Sequence, residues 1–245
     1  MTSTRPCIAC RIRPSIEKSH IVPRSMYKAV RGNDKNMLVL DTEMEVAGKP
    51  LQNGHWEPLL CSVCEGDFSA RFDSPAYQFV NGLPTRLPLI SGRLPASIPI
   101  EFPKQYRQFV ISVLYRSTYS VDTSWNQCAT CWDGKALLDI LNGRSLDKIE
   151  VYPRLLAFGN DGSVEQGFVV PPQRLMIRGD TEPYSCMAFG GMEYISRMHR
   201  GKLSPSTPQI PLAGGTVTIP VGDIRQSWAL HDVRAKNRPD EPSSL

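Results

Sequence analysis

Two pairs of cysteines constrain this chain more than any other feature. They are Cys7-Ile-Ala-Cys10 and Cys61-Ser-Val-Cys64, with 50 residues lying between them. Two residues between thiolates let one tight turn aim both sulfurs at a single ion, and two such turns complete the tetrahedral sulfur set that zinc prefers. Cys7, Cys10, Cys61 and Cys64 are therefore expected to hold one structural Zn²⁺, with no coordination position left for substrate. The competing reading, cysteines buried as small hydrophobes, fits poorly with two spaced pairs in a polar region. A third pair, Cys128-Ala-Thr-Cys131, has only Cys186, His199 and His231 after it. Core packing beside the following helix explains that pair equally well.

Residues 1–75 have few long apolar stretches and would struggle to fold on hydrophobic burial alone, which is a second reason to expect a metal staple. The 245-residue chain is 41% hydrophobic, enough for one large domain or two small ones with a real core. No run approaches the ~18 to 20 apolar residues of a membrane span, and "MTSTRPCIAC" lacks the apolar stretch of a signal peptide. A cytoplasmic protein is expected, and in that compartment spaced cysteines favour metal over disulfides. The net charge is only +4, but residues 1–35 carry eight basic side chains against Glu17 and Asp34. Such a local excess can contact phosphate, or can simply form a solvated face.

Residues 81–103, "NGLPTRLPLISGRLPASIPIEFP", are rich in proline and glycine and read as a connector. Beyond it, Phe102, Tyr106, Phe109, Val110, Val113 and Leu114 follow the period of a helix over about 103–118 with one buried face. "DGKALLDILNG" reads as a second helix, with Asp133 to cap it and Gly143 to end it. From 150 onward, short segments rich in β-formers alternate with Gly, Pro and Asn-Asp clusters. "YPRLLAFGNDGSVEQGFVVP" reads as a hairpin turning at Asn160-Asp161-Gly162, and "RLMIRG", "YSCMAFGG", "MEYISRM" and "GTVTIPV" as further strands. The expected fold class is α+β: an N-terminal zinc-binding region (1–80), the connector (81–103), a helical segment with an antiparallel sheet (104–231) and a polar tail (232–245).

Between the cysteine pairs lies "SHIVPRSMYK", residues 19–28, and the second pair sits in "LLCSVCE". Together these resemble the zinc-stapled HNH endonuclease family, in which a treble-clef finger built on two CxxC knuckles holds a ββα-metal active site. The resemblance covers residues 7–72. It implies that His20 ends the first strand and activates water against a phosphodiester, that a divalent cation, Mg²⁺ or Mn²⁺, stabilises the leaving oxygen, and that DNA is the partner. It also implies a phage, mobile-element or phage-defence setting. An imidazole titrating near neutral pH suits the general-base role; a backbone hydrogen bond inside the finger is the plainer role for the same ring.

The chain departs from the family pattern at the metal shell. Ser19 stands where an acidic ligand commonly precedes the His, and a hydroxyl is a poor ligand for a hard cation. Glu65 stands where Asn or His usually follows the last Cys. It can restore a carboxylate from the first helical turn, or simply favour the helix N-terminus by its charge. Asp67 is a further acidic candidate. The family's intervening Asn has no clear counterpart among Asn36, Asn53 and His55, and His55 beside Trp56 reads as an exposed loop residue. Phe68 and Phe72, four apart, read as a helix face packing onto the rest of the protein.

Two functions follow as expectations. One is a metal-dependent DNA endonuclease with His20 as base and Glu65 helping to hold the cation, its region beyond 100 choosing substrate or binding a partner protein. The other is a catalytically inactive finger gripping nucleic acid or protein through Arg11, Arg13, Arg24 and Lys28. The balance leans to the nuclease.

Overall fold

A computed structural model describes residues 5–27, 37–38, 50–51, 54–129, 132–144, 149–176, 183–198 and 214–228. The N-terminal turn closes on itself: the Cys7 N–H donates to the Arg13 carbonyl at 2.8 Å, and Pro6 bridges to Pro14. Strand β1 (Ser19–His20) pairs antiparallel with β4 (Trp56–Glu57), putting Ser19 opposite Glu57 and His20 opposite Trp56. A second short ladder, β2 (Met37–Leu38) with β3 (Pro50–Leu51), lies between them in sequence.

Helix α1 (Ser62–Phe68), a π-helical turn (Ser69–Asp73) and α2 (Ser74–Asn81) form one continuous helical stretch. Its buried residues Phe68, Phe72, Ala76 and Val80 are spaced by four. In a regular α-helix that spacing drifts about 40° per step around the axis. The wider π turn takes up the drift and keeps the row inward, and it places Asp73 on the buried side as well. Phe68 and Phe72 meet edge to face at 5.2 Å, as core residues.

Helix α3 (Lys104–Ser117) and helix α4 (Gly134–Leu141) stand where the periodicity placed them. Asp133 accepts from the Lys135 N–H at 2.9 Å as the N-cap of α4, and Gly143 takes φ 82° just past its end. The expectation of one buried face on α3 is too small. From Tyr106 to Ser117 every residue but Gln108 is buried, because α3 meets Phe68 of α1 through Tyr115 and meets Tyr194 and Phe189 of the sheet through Tyr106 and Phe109.

The six strands β5 (Ser97–Phe102), β6 (Ile149–Ala157), β7 (Val169–Leu175), β8 (Tyr184–Phe189), β9 (Met192–Met198) and β10 (Gly215–Asp223) form one sheet in the order β5-β10-β6-β9-β8-β7. The sheet is mixed rather than antiparallel, since β10 runs parallel to β6. β5 comes from within the proline-rich segment 81–103. One face of the sheet joins the main apolar cluster through Ile149, Val151, Leu155, Met187, Phe189, Met192, Tyr194 and Ile219; that cluster runs without a break to Cys7, Ile8, Leu59 and Leu60 of the N-terminal region.

The hairpin expected around Asn160-Asp161-Gly162 is present only as a short one, and its extension to Val169-Val170 is corrected. The tight turn is present, with Gly162 at φ 76° and the Phe158 N–H donating to the Ser163 carbonyl. The returning chain pairs only briefly with the end of β6, through the Ala157–Val164 bridge and Glu165 N–H to Leu156 O, and it also bonds to residues 85–87, through Val164 N–H to Thr85 O and Leu87 N–H to Gly162 O; along the rest of β6 both edges are taken by β9 and β10. β7 therefore pairs with β8 alone.

The opposite face carries two charge pairs in register. Arg154 lies across from Glu193 and Glu150 across from Arg197, and both glutamate side chains are fully buried. Among the described residues no helix is long and apolar enough to cross a membrane. The residues 199–213 and 229–245, with His199, His231 and the tail, lie outside the described residues.

Candidate functional site

The knuckle turn and the start of α1 bring four sulfurs together: the Sγ atoms of Cys7, Cys10, Cys61 and Cys64 all lie within 4.8 Å of one another. A tetrahedral ion with Zn–S of about 2.3 Å has sulfur–sulfur edges of roughly 3.8 Å, and Cys10 and Cys61 stand 3.9 Å apart. The donor set fits a structural metal such as zinc. The backbone is arranged for thiolates: the Arg13 and Ile12 amides lower the Cys10 pKa to about 6, and the Cys64 amide lowers that of Cys61. Burial, and then the neighbouring sulfurs, push the Cys64 thiol up, as a further like charge must be until a cation arrives. Among the described residues this is the one cluster of three or more metal-type donors. Cys128 and Cys186 are buried in the core, and Cys131 lies outside the described residues.

His20 ends β1 half-buried. Its backbone is held from both sides: the carbonyl accepts from Arg116 Nη1 at 2.9 Å, and its N–H faces the Glu65 carboxylate. Ser19, fully buried, donates its hydroxyl to the same carboxylate, at Oε2. The residues that the family resemblance sets around a catalytic cation, 19 and 65, thus meet across 46 positions of sequence. Burial raises the Glu65 pKa, the Ser19 hydroxyl and the Arg116 charge work against that rise, and Asp73 adds to it.

The positive charge in this place is a side chain. Arg116 of α3 is fully buried, with Nη2 donating to Asp73 Oδ1 at 2.8 Å and to Ser112 Oγ at 2.9 Å, and its guanidinium lies over the Phe68 ring at 5.9 Å. Glu65 and Asp73 both accept from protein donors, Glu65 from the Ser19 hydroxyl and Asp73 from the Arg116 guanidinium. Asp67 is corrected as a site candidate: it is exposed and paired with Arg71 at 3.0 Å.

His55 is also corrected. It is no exposed loop residue but stacks on Trp125 at 5.1 Å, with Nε2 on Glu57 at 2.9 Å and Nδ1 3.7 Å from Asp122. Burial alone would raise the Glu57 pKa. The His55 ring, the Ser120 hydroxyl and the Val121 amide outweigh it and hold the carboxyl at about 2. Sequence reasoning missed Glu57, Ser120 and Arg116; the alternation from His55 to Glu57 was the one available signal. A carboxyl lowered from 4.5 to about 2 contributes its stability above pH 4.5 and loses it as pH falls toward 2. Glu57→Gln is therefore expected to unfold in less urea than the parent at pH 6, by on the order of 3 kcal/mol at most. The gap should close between pH 4.5 and 2; a constant gap would show that ionisation of Glu57 is not what stabilises.

Arg5, Arg11, Arg13, Lys18 and Arg24 are all exposed, with Glu17 the single acidic residue among positions 5–27; Lys28 lies outside the described residues. Lys18 sits over the Trp56 ring at 5.2 Å. A shallow depression lined by Arg93, Gly159, Asp223 and Arg225 belongs to a different part of the molecule, and there Arg225 is bonded to Asp223. No protein-family model, curated protein or solved structure matches this chain.

Proposed function

We propose that the N-terminal region is an HNH-like treble-clef finger, stapled by zinc on Cys7, Cys10, Cys61 and Cys64, that binds DNA without hydrolysing it. The observation that carries the binding is the run of five exposed cations against one acid over residues 5–27. The absence of hydrolysis rests on Arg116: a fixed guanidinium supplies the positive charge beside Asp73 and the His20 carbonyl, and unlike a metal ion it neither carries nor activates water. The region beyond residue 100 braces the finger and offers a surface for a protein partner.

The second reading, a Mg²⁺- or Mn²⁺-dependent endonuclease with His20 as general base and Glu65 at the cation, is favoured by one observation: Ser19 and Glu65 stand together where that cation would be held. A supercoiled-plasmid assay separates the two. The binding reading expects duplex affinity that falls steeply with salt and no nicking with either ion. Nicking that disappears in His20→Ala while zinc content stays unchanged would establish the nuclease instead.

A further inference from the structure

We infer that the knuckle tip Arg11-Ile12-Arg13 is a wedge that enters the DNA minor groove and seats Ile12 against a base step. This deepens the DNA-binding reading above and rests on it. Ile12 is 88% exposed, more than any other large hydrophobic residue among those described. It stands at the end of a turn that cannot easily fold back to hide it. The Arg11 N–H donates to Cys7 O at 3.0 Å and Cys7 N–H to Arg13 O at 2.8 Å, while Ile8 and Ile16 N–H groups tie the base of the turn to Leu59 and Leu60 carbonyls at 2.9 and 2.8 Å.

Arg11 takes φ 59°, a left-handed conformation that glycine adopts without strain. Strain of that kind persists where the surrounding structure holds it, here the turn's hydrogen bonds and the Tyr119 hydroxyl. The Arg11 guanidinium lies 5.1 Å over the Tyr119 ring, with Nη2 donating to the Tyr119 hydroxyl at 3.0 Å. The ring has room because residue 134 is glycine: a Cβ there would stand 2.5 Å from the Tyr119 hydroxyl. That bond uses one of five guanidinium donors, so the charge is positioned while most of its hydrogen-bonding capacity is kept.

An exposed aliphatic side chain between two cations matches the chemistry of minor-groove binding, where Arg lines the groove and an apolar residue pries at a base step and bends the duplex. A greasy protein groove would place one of its own apolar walls against each flanking guanidinium. A polyanion is complementary to both.

The test uses the full-length zinc-loaded chain and a duplex labelled at both ends, reading affinity by titration and bending by energy transfer. Ile12→Ala should keep zinc content and melting temperature, lose about tenfold in affinity and abolish the bend. Arg13→Ala should lower affinity and reduce the salt slope by about one while retaining the bend. If the parent binds without bending, or Ile12→Ala behaves like the parent, the wedge is overturned and DNA binding stands. If the parent binds no duplex at all, both are overturned.

Discussion

Chelating the metal that the four cysteines are proposed to hold, or replacing Cys61 by Ser, is expected to unfold the cysteine-bearing N-terminal region and to lower the melting temperature of the whole chain. Structural zinc contributes apparent free energies of about 10 to 16 kcal/mol in finger peptides, as large as or larger than the whole ~5 to 15 kcal/mol that separates a folded domain from its unfolded ensemble. The effect should spread because Cys7, Ile8, Leu59, Leu60 and Cys61 belong to the same apolar cluster as Tyr115 and Phe109 of α3. Elemental analysis of the purified chain should find one zinc per molecule, and chelation should release it together with finger secondary structure. A chain that carries no metal and melts unchanged after chelation would refute the staple.

Arg116→Leu is expected to cost about 3 to 5 kcal/mol, because it leaves the Asp73 carboxylate buried without its cation and the His20 carbonyl without its donor. For a chain of this size that corresponds to a fall in melting temperature of roughly 10 °C. The partner experiment is Arg116→Met combined with Asp73→Leu. Removing both charges leaves no uncompensated ion, so the double variant should recover most of the loss. Thermal melts and denaturant titrations of the three proteins check this. A single variant within about 1 kcal/mol of the parent would mean that the guanidinium is not what holds α3 to β1 and the π turn, and it would remove the ground for giving Arg116 the positive charge of the site.

The cysteines and the Asp73–Arg116 pair differ in how visible they are before folding. The cysteine spacing is a local signal with one economical solution, so the sulfur cluster could be read directly, and the structure brings the four sulfurs together. Helices α3 and α4 were legible for a similar reason, because periodicity, the Asp133 cap and the Gly143 stop act within a few residues of one another. The hairpin at Asn160 was half legible. A turn is encoded in three residues, whereas the neighbour of a strand is chosen by competition among all free edges, and β9 and β10 took those of β6.

His55 and Arg116 were illegible for a deeper reason. A polar side chain in sequence carries no sign of whether it will meet water, and charged residues are almost never fully buried unless paired. Asp73 and Arg116 are 43 residues apart, and only the π turn and the packing of α3 against it bring their charges to 2.8 Å.

By itself the sequence determined what short-range chemistry can determine: a cluster of four cysteines able to hold a metal, a capped helix and a basic N-terminal arm. Tertiary structure alone decided that Ser19 and Glu65 meet and that Arg116 is buried beside Asp73 and the His20 carbonyl. It also decided that Ile12 is left outside. Those outcomes depend on contacts between residues far apart in the chain, whose energies exist only once the core has closed around them.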